Sequence, residues 1–342
     1  MPSRVLAGLA TLAAALVAGQ TATAGPSPLV DRFVSLPSSF APPGFNGGTY
    51  TATATGEQVR IFSAPDYATD PTFNQRWADF VASLPHGPEI STVTIYLAPL
   101  ARVGSVCGAH TLGCYSPDDQ VIFTSGDDVP ERASAQSILA HEYGHHVAQS
   151  RLDTPWPAED YGTKRWSSYE NVCARSRQGS LFPGDEADHY KFNSGEVFAE
   201  TYRVYVEQKL GLPASPWLAV DTSLQPDAKA LELLGQDITD PWTGPSVSSH
   251  TASFRPYTGD ARTFRFSTPL DGVLTLTLRG PAGASYDARL FDPSGRHLLQ
   301  ETTLGSRPVK TIRYLVCGER AFELRVARTR GFGSFTLEIS KP

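Results

Sequence analysis

Charge is scarce in this chain. Only 19% of its 342 residues are Asp, Glu, Lys or Arg, and the net charge of −6 is interrupted by no long basic run. Nucleic acid and anionic membranes are therefore not expected partners. Beyond residues 1–24 no apolar run approaches the ~20 residues that a membrane span needs. The four cysteines contain no C-x-x-C pair, which argues against a thiolate metal site. What is present is 40% hydrophobic residues, 29 Gly and 27 Pro, a composition suited to a packed core with many turns. The length fits one large domain or two.

Residues 1–24 read as a signal peptide. Arg4 supplies the positive start, Val5 to Ala18 is almost wholly apolar, and Ala22-Thr23-Ala24 offers small residues for cleavage before Gly25. The mature protein is expected to be secreted, extracellular, soluble and monomeric, with no stable membrane insertion. In that compartment Cys107, Cys114, Cys173 and Cys317 are expected to pair, and four cysteines allow three connectivities. Cys107 and Cys114 flank a short Gly-containing loop, which favours a local bridge and leaves Cys173 for Cys317. Residues 25–57 are rich in Pro, Gly, Ser and Thr and read as a flexible lead-in or short pro-segment.

The chemistry concentrates in His141-Glu142-Tyr143-Gly144-His145, an H-E-x-x-H pattern. On a helix, positions i and i+4 share a face, so both imidazoles can address one ion while Glu142 projects beside it. Such a site binds Zn²⁺, and Glu142 is placed to act as general base toward a water. Asp127 to Glu131 supplies the acidic residues and Pro of a first turn, so the helix is expected to open there and run to near Leu152. The strand before it, Gln120 to Thr124, reads equally well as a cleft wall with a free edge for a peptide or as a buried strand. His146 faces about 100° from His145 and cannot share its ion.

A catalytic zinc takes three protein ligands and leaves a fourth position open. The extended H-E-x-x-H-x-x-G-x-x-H pattern fails, because Ala148 and Arg151 stand where Gly and His are required. The best third ligand is Glu196, on a second helix that carries Glu200 four residues on. Glu200 is then free to accept the other N–H of a zinc-binding His. The reverse assignment, and Asp160, Asp185, Asp188 or His189, are weaker alternatives. Tyr143 and Tyr202 read as packing residues. The stretch from Thr154 to Asn193 reads as a long loop shaping the cleft.

With Glu196-Val197-Phe198-Ala199-Glu200-Thr201-Tyr202 beside the first motif, the segment Ala133–Tyr205 resembles the gluzincin metallopeptidases, and the lethal-factor-like group in particular. The resemblance implies a zincin-like α+β catalytic domain over 58–240, zinc on His141, His145 and Glu196, and a protein or peptide substrate. It also implies a tyrosine near the oxyanion, for which Tyr190 is the match. No toxin role is carried over.

Asp240 to Ser249 is a break in composition, after which the apolar period becomes twofold. Runs such as Val273–Leu278, Ile312–Val316, Phe322–Val326 and Phe335–Ile339 predict an all-β sandwich over 250–342. With Phe291-Asp292-Pro293-Ser294-Gly295 it is similar to pre-peptidase C-terminal domains. The competing function is a secreted binding or adhesion protein with a structural zinc, whose site would be closed by a fourth protein ligand.

Overall fold

The computed structural model describes residues 34, 42–217, 220–257, 259–302 and 309–342. The stretch at 1–24 expected to be a signal peptide, and 25–33 and 35–41 of the expected lead-in, lie outside the described residues.

The first strand, β1 (Asn46–Thr51), falls inside the stretch read as a lead-in and pairs antiparallel with β2 (Gln58–Ser63). Its glycines make this possible: a β-carbon on Gly47 would lie 2.1 Å from the Ile61 carbonyl oxygen. Then follow α1 (Phe73–Ser83), β3 (Thr94–Ala98), α2 (Leu100–Cys107), β4 (Gly113–Ser116) and β5 (Val121–Ser125). Helix α1 buries Phe73, Trp77, Phe80 and Val81, residues at helical spacing, against the first two strands. The five strands form one sheet in the order β1-β2-β3-β5-β4, with β2, β3 and β5 mutually parallel and the outer two antiparallel.

This order decides between the two readings of the strand before α3 in favour of the buried one. Strand β5 is flanked by β3 and β4 and is buried throughout, so it offers no free edge. The edge belongs to β4, where the backbone N–H of Val34 donates to the Tyr115 carbonyl at 3.1 Å.

Helix α3 (Ala135–Gln149) carries the H-E-x-x-H residues and starts later than its acidic prelude suggests. The Ser134 side chain accepts from the Ser137 N–H at 3.0 Å, a standard N-cap, and Asp128 accepts from the Ala135 N–H at 2.8 Å. Before that cap, Val129 and Ala133 form a bridge and Glu131 has a φ of 61°, so the acidic residues belong to a turn that caps the helix from outside. Three short helices follow, α4 (Ala158–Tyr161), α5 (Lys164–Tyr169) and α6 (Val172–Arg177), in the stretch read as one long loop. Helix α7 (Ser194–Leu210) starts at an Asn193 cap and ends at Gly211, whose φ is 67°. Helix α8 (Ala228–Thr239) closes this α+β part.

The remaining strands are β6 (Ser246–Phe254), β7 (Ala261–Ser267), β8 (Gly272–Arg279), β9 (Ser285–Phe291), β10 (Leu298–Glu301), β11 (Val309–Val316), β12 (Ala321–Arg330) and β13 (Gly333–Lys341). They form two four-stranded antiparallel sheets, β10-β9-β12-β7 and β11-β8-β13-β6. Phe254, Leu276, Leu290, Leu324, Phe335 and Leu337 from both sheets share one core, separate from the core under α3. Strand β6 begins inside the stretch read as a break in composition. Its side chains are mostly exposed, and it is held by pairing along its whole length with β13, from Ser246–Lys341 to Phe254–Gly333. Backbone pairing of this kind leaves little trace in an apolar pattern.

The Cys107–Cys114 bond ties α2 to β4, and Cys173–Cys317 ties α6 to the end of β11 across 144 residues of sequence. Beside the second bond, Ser168 Oγ accepts from the Asp271 N–H at 2.9 Å, and Arg320 donates to the Ser168 carbonyl at 2.7 Å. Among the described residues no helix is long and apolar enough to cross a membrane.

Replacing Cys173 and Cys317 together by Ser is expected to lower unfolding free energy by about 2–4 kcal/mol, read from urea midpoints. An unchanged midpoint would mean that the polar contacts at Ser168 suffice to hold the two parts together.

Candidate metal centre

Helices α3 and α7 pack directly on each other. The contact is tightest at Gly144: a β-carbon there would lie 3.0 Å from Ala199 Cα and 3.1 Å from Tyr202 Cβ. Gly144 stands between His141 and His145, and Ala199 between Glu196 and Glu200. The closest approach of the two helices is thus centred on the four side chains with metal chemistry.

Those side chains meet. His141 Nε2 lies 3.3 Å from Glu196 Oε2, and His145 Nε2 lies 3.5 Å from Glu196 Oε1. Among the described residues this trio is the one group of three His, Cys, Asp or Glu side chains close enough to share an ion. All three are buried, His145 and Glu196 completely.

The residues fit a metal on three counts. Tetrahedral bonds of about 2.0–2.2 Å place donor atoms about 3.3–3.5 Å apart; each imidazole nitrogen lies that far from one Glu196 oxygen, and one ligand atom from each of the three residues lies within 4.8 Å of the others. Next, His141 Nδ1 sits 3.0 Å from Glu200 Oε2. A carboxylate only accepts, so Nδ1 carries the proton, and in the neutral form that ligates a metal the ring would turn the lone pair of Nε2 toward the Glu196 oxygen. Two acceptors facing each other in a buried site call for a cation between them. Finally, Glu196 Oε1 is buried and makes no hydrogen bond among the described residues. Two imidazole nitrogens and one carboxylate oxygen suit zinc and its neighbours in the first transition row.

Glu200 is itself held firmly. Arg203 donates to it through Nε and Nη2, both at 2.8 Å, and through Nη1 to Glu207 at 2.7 Å. Glu207 also accepts from Ser137 Oγ at 2.7 Å, which returns the network to the start of α3. Burial raises the Glu200 carboxyl pKa, but the hydrogen bonds from His141 and Arg203 outweigh it and hold the value at about 2. Glu200 therefore stays an acceptor for His141. Sequence reading overlooked Arg203 and Glu207, although Glu200, Arg203 and Glu207 follow the i, i+3 and i+4 spacing of helical ion pairs.

The remaining residues fall as follows. Glu142 is buried on α3, one position past His141. Tyr190 opens a single 3₁₀ turn, Tyr190–Phe192, and its hydroxyl donates to Glu196 Oε2 at 2.7 Å. His146 points to the sheet, 2.9 Å from the Tyr115 hydroxyl and 2.9 Å from the Glu89 carbonyl, with its pKa lowered by burial. Tyr143 and Tyr202 are fully buried with ring centres 6.1 Å apart. His189 pairs instead with Asp185 at 2.7 Å.

No protein-family model and no curated protein matches this sequence. Among solved structures, the pre-peptidase C-terminal domain of a Bacillus anthracis collagenase shows 11% identity, over 27% of this chain and 87% of that domain, with a TM-score of 0.25. The Yersinia pseudotuberculosis-derived mitogen shows 10% identity, over 29% and 87% of the two chains, with a TM-score of 0.23. The periplasmic g-type lysozyme inhibitor of Aeromonas hydrophila shows 11% identity, over 29% and 89%, with a TM-score of 0.23. These are weak, distant similarities. The site itself is of a defined class: a buried His-His-Glu cluster arranged as in H-E-x-x-H zinc-binding motifs.

Gly144→Val is expected to push α3 from α7, costing about 1–3 kcal/mol of stability and weakening zinc binding. Urea titrations with and without zinc measure both, and full retention of the zinc-dependent stabilisation would rule out the crossing as the determinant of the site. Glu200→Ala is expected to weaken zinc binding by about 10–100-fold in competition with a chromophoric chelator. Unchanged affinity would remove Glu200 from any role in orienting His141.

Proposed function

We propose that the protein is a secreted zinc metalloendopeptidase of the gluzincin type, similar to the lethal-factor-like group, with His141, His145 and Glu196 as zinc ligands. The observation that carries the reading is that one ligand atom from each of His141, His145 and Glu196 lies within 4.8 Å of the others in a buried site, with Glu142 next to the first of them in the chain. Three protein donors, among the described residues, is the number a catalytic site uses; a structural site adds a fourth. The two disulfides and the residues 1–24 pattern support export. The separate cores support a division into a catalytic domain and an accessory β-sandwich domain, with the boundary placed before Ser246.

Zinc held by this trio supplies Lewis acidity for activating water and polarising a peptide carbonyl. The rest of the chemistry belongs to the chain. Glu142 takes a proton from the water as its oxygen attacks the carbonyl carbon, then returns that proton to the amine nitrogen as the C–N bond breaks. Glu200 keeps the proton of His141 on Nδ1, so Nε2 remains a ligand. The Tyr190 hydroxyl, which donates to Glu196 Oε2 here, would turn its single proton from that oxygen to the developing oxyanion.

The test is Glu142→Gln. It should bind one equivalent of zinc and lose about 10²–10⁴-fold in hydrolysis of an unfolded casein substrate that the parent cleaves and a chelator protects. Hydrolysis undiminished in that variant would remove Glu142 as the base, and a zinc-loaded parent with no activity would refute the peptidase reading.

A further inference from the structure

We propose that Gly113, on the edge strand β4, is a positioning residue: its missing side chain is the space in which the Glu142 carboxylate sits. The inference rests on the peptidase reading, because it concerns the placement of that reaction's base.

Strand β4 reads Gly113-Cys114-Tyr115-Ser116 and pairs antiparallel with β5, Gly113 opposite Thr124 and Tyr115 opposite Ile122. Side chains alternate along a strand. Tyr115 turns toward α3, where its hydroxyl lies 2.9 Å from His146 Nδ1, so residue 113 faces α3 as well. A β-carbon built on Gly113 would lie 2.1 Å from Glu142 Oε1, 2.7 Å from Cδ and 2.9 Å from Cγ. Contacts this short do not occur between unbonded atoms, so any side chain at 113 displaces the carboxylate.

The glycine is not explained by its backbone. Gly113 is absent from the glycines of positive φ, so alanine suits its conformation. Glycine inside a strand weakens it and marks the close approach of another group. Here that group is the side chain of Glu142. The two partners differ in freedom. Strand β4 is pinned by the Cys107–Cys114 bond immediately after Gly113, and α3 is wedged between the sheet and α7. Of the groups in contact, the end of the Glu142 side chain is the one that can turn about its own single bonds. A methyl group at 113 therefore strains the site at some cost in stability and moves the carboxylate by about 1 Å, a displacement that can cost on the order of 10²-fold in rate.

The experiment uses the zinc-loaded full chain and a fluorogenic casein. Gly113→Ala should lower kcat on the order of 10²-fold while KM stays within about threefold, with zinc stoichiometry unchanged. A kcat within about threefold of the parent overturns the inference. So does a loss confined to KM, which would assign Gly113 to substrate access. A second measurement is independent of activity: the melting temperatures of G113A, E142A and G113A/E142A. Removing the Glu142 side chain beyond its β-carbon removes all three close atoms, so G113A should lower the melting temperature in the parent and not in the E142A background. This comparison also decides the matter if G113A alone folds poorly, and an equal loss in both backgrounds overturns the inference. If the zinc-loaded parent has no peptidase activity, the reading of the site fails and the inference goes with it; a parent that cleaves casein beside an unimpaired G113A sinks the inference alone.

Discussion

The distance between α3 and α7 controls the metal centre. His141 and His145 belong to one helix and Glu196 to the other, so the gap between nitrogen and oxygen is the gap between two rods. Gly144 and Ala199 set that gap by letting backbone meet backbone. The rest of the α+β part keeps the rods from sliding. The Ser134 and Asn193 caps place the start of each helix. The sheet supports α3 from the far side, and the Ser137–Glu207 hydrogen bond ties the first turn of α3 to the last turns of α7. A displacement of a few tenths of an ångström along either axis would spoil the ligand spacing, which is why these anchors lie at both ends of the contact.

Burying several carboxylates in one place is costly unless each finds a partner. The protein solves this by division of labour. Arg203 compensates Glu200 and Glu207 with three charge-assisted hydrogen bonds. Glu196 is left to face the two imidazoles, with the Tyr190 hydroxyl on one of its oxygens. Glu200 touches both systems: it takes Arg203 on one side and the His141 N–H on the other. A rigid guanidinium thereby orients an imidazole through a carboxylate, three groups removed from solvent.

The meeting of His141, His145 and Glu196 was legible in the sequence because both helices repeat a chemical group at i, i+4, and that period survives whatever the tertiary packing does. The apolar alternation of β7, β8, β11, β12 and β13 was legible for the same reason. Four features were not. The true start of α3 was hidden because Asp127 to Glu131 suits a first turn by composition, while the Ser134 cap that wins is a single residue. The edge strand β4 is four residues long, so its place beside β5 is a matter of pairing that no local pattern encodes. Strand β6 is polar on most of its length, and its partner β13 lies some eighty residues away. Gly144 reads as a neutral position of the motif until the neighbouring helix is in place.

Cys114 follows Gly113 directly, and its bond to Cys107 ties the strand along the rim of the site to the helix before it. Thiol chemistry thereby reaches the strand beside Glu142 without touching His141, His145 or Glu196. In a reducing medium that strand would lose its clasp while the imidazoles and carboxylate of the two helices stayed as they are. The two helices that bring the trio together are thus independent of that bond, while the placing of the strand beside Glu142 depends on it.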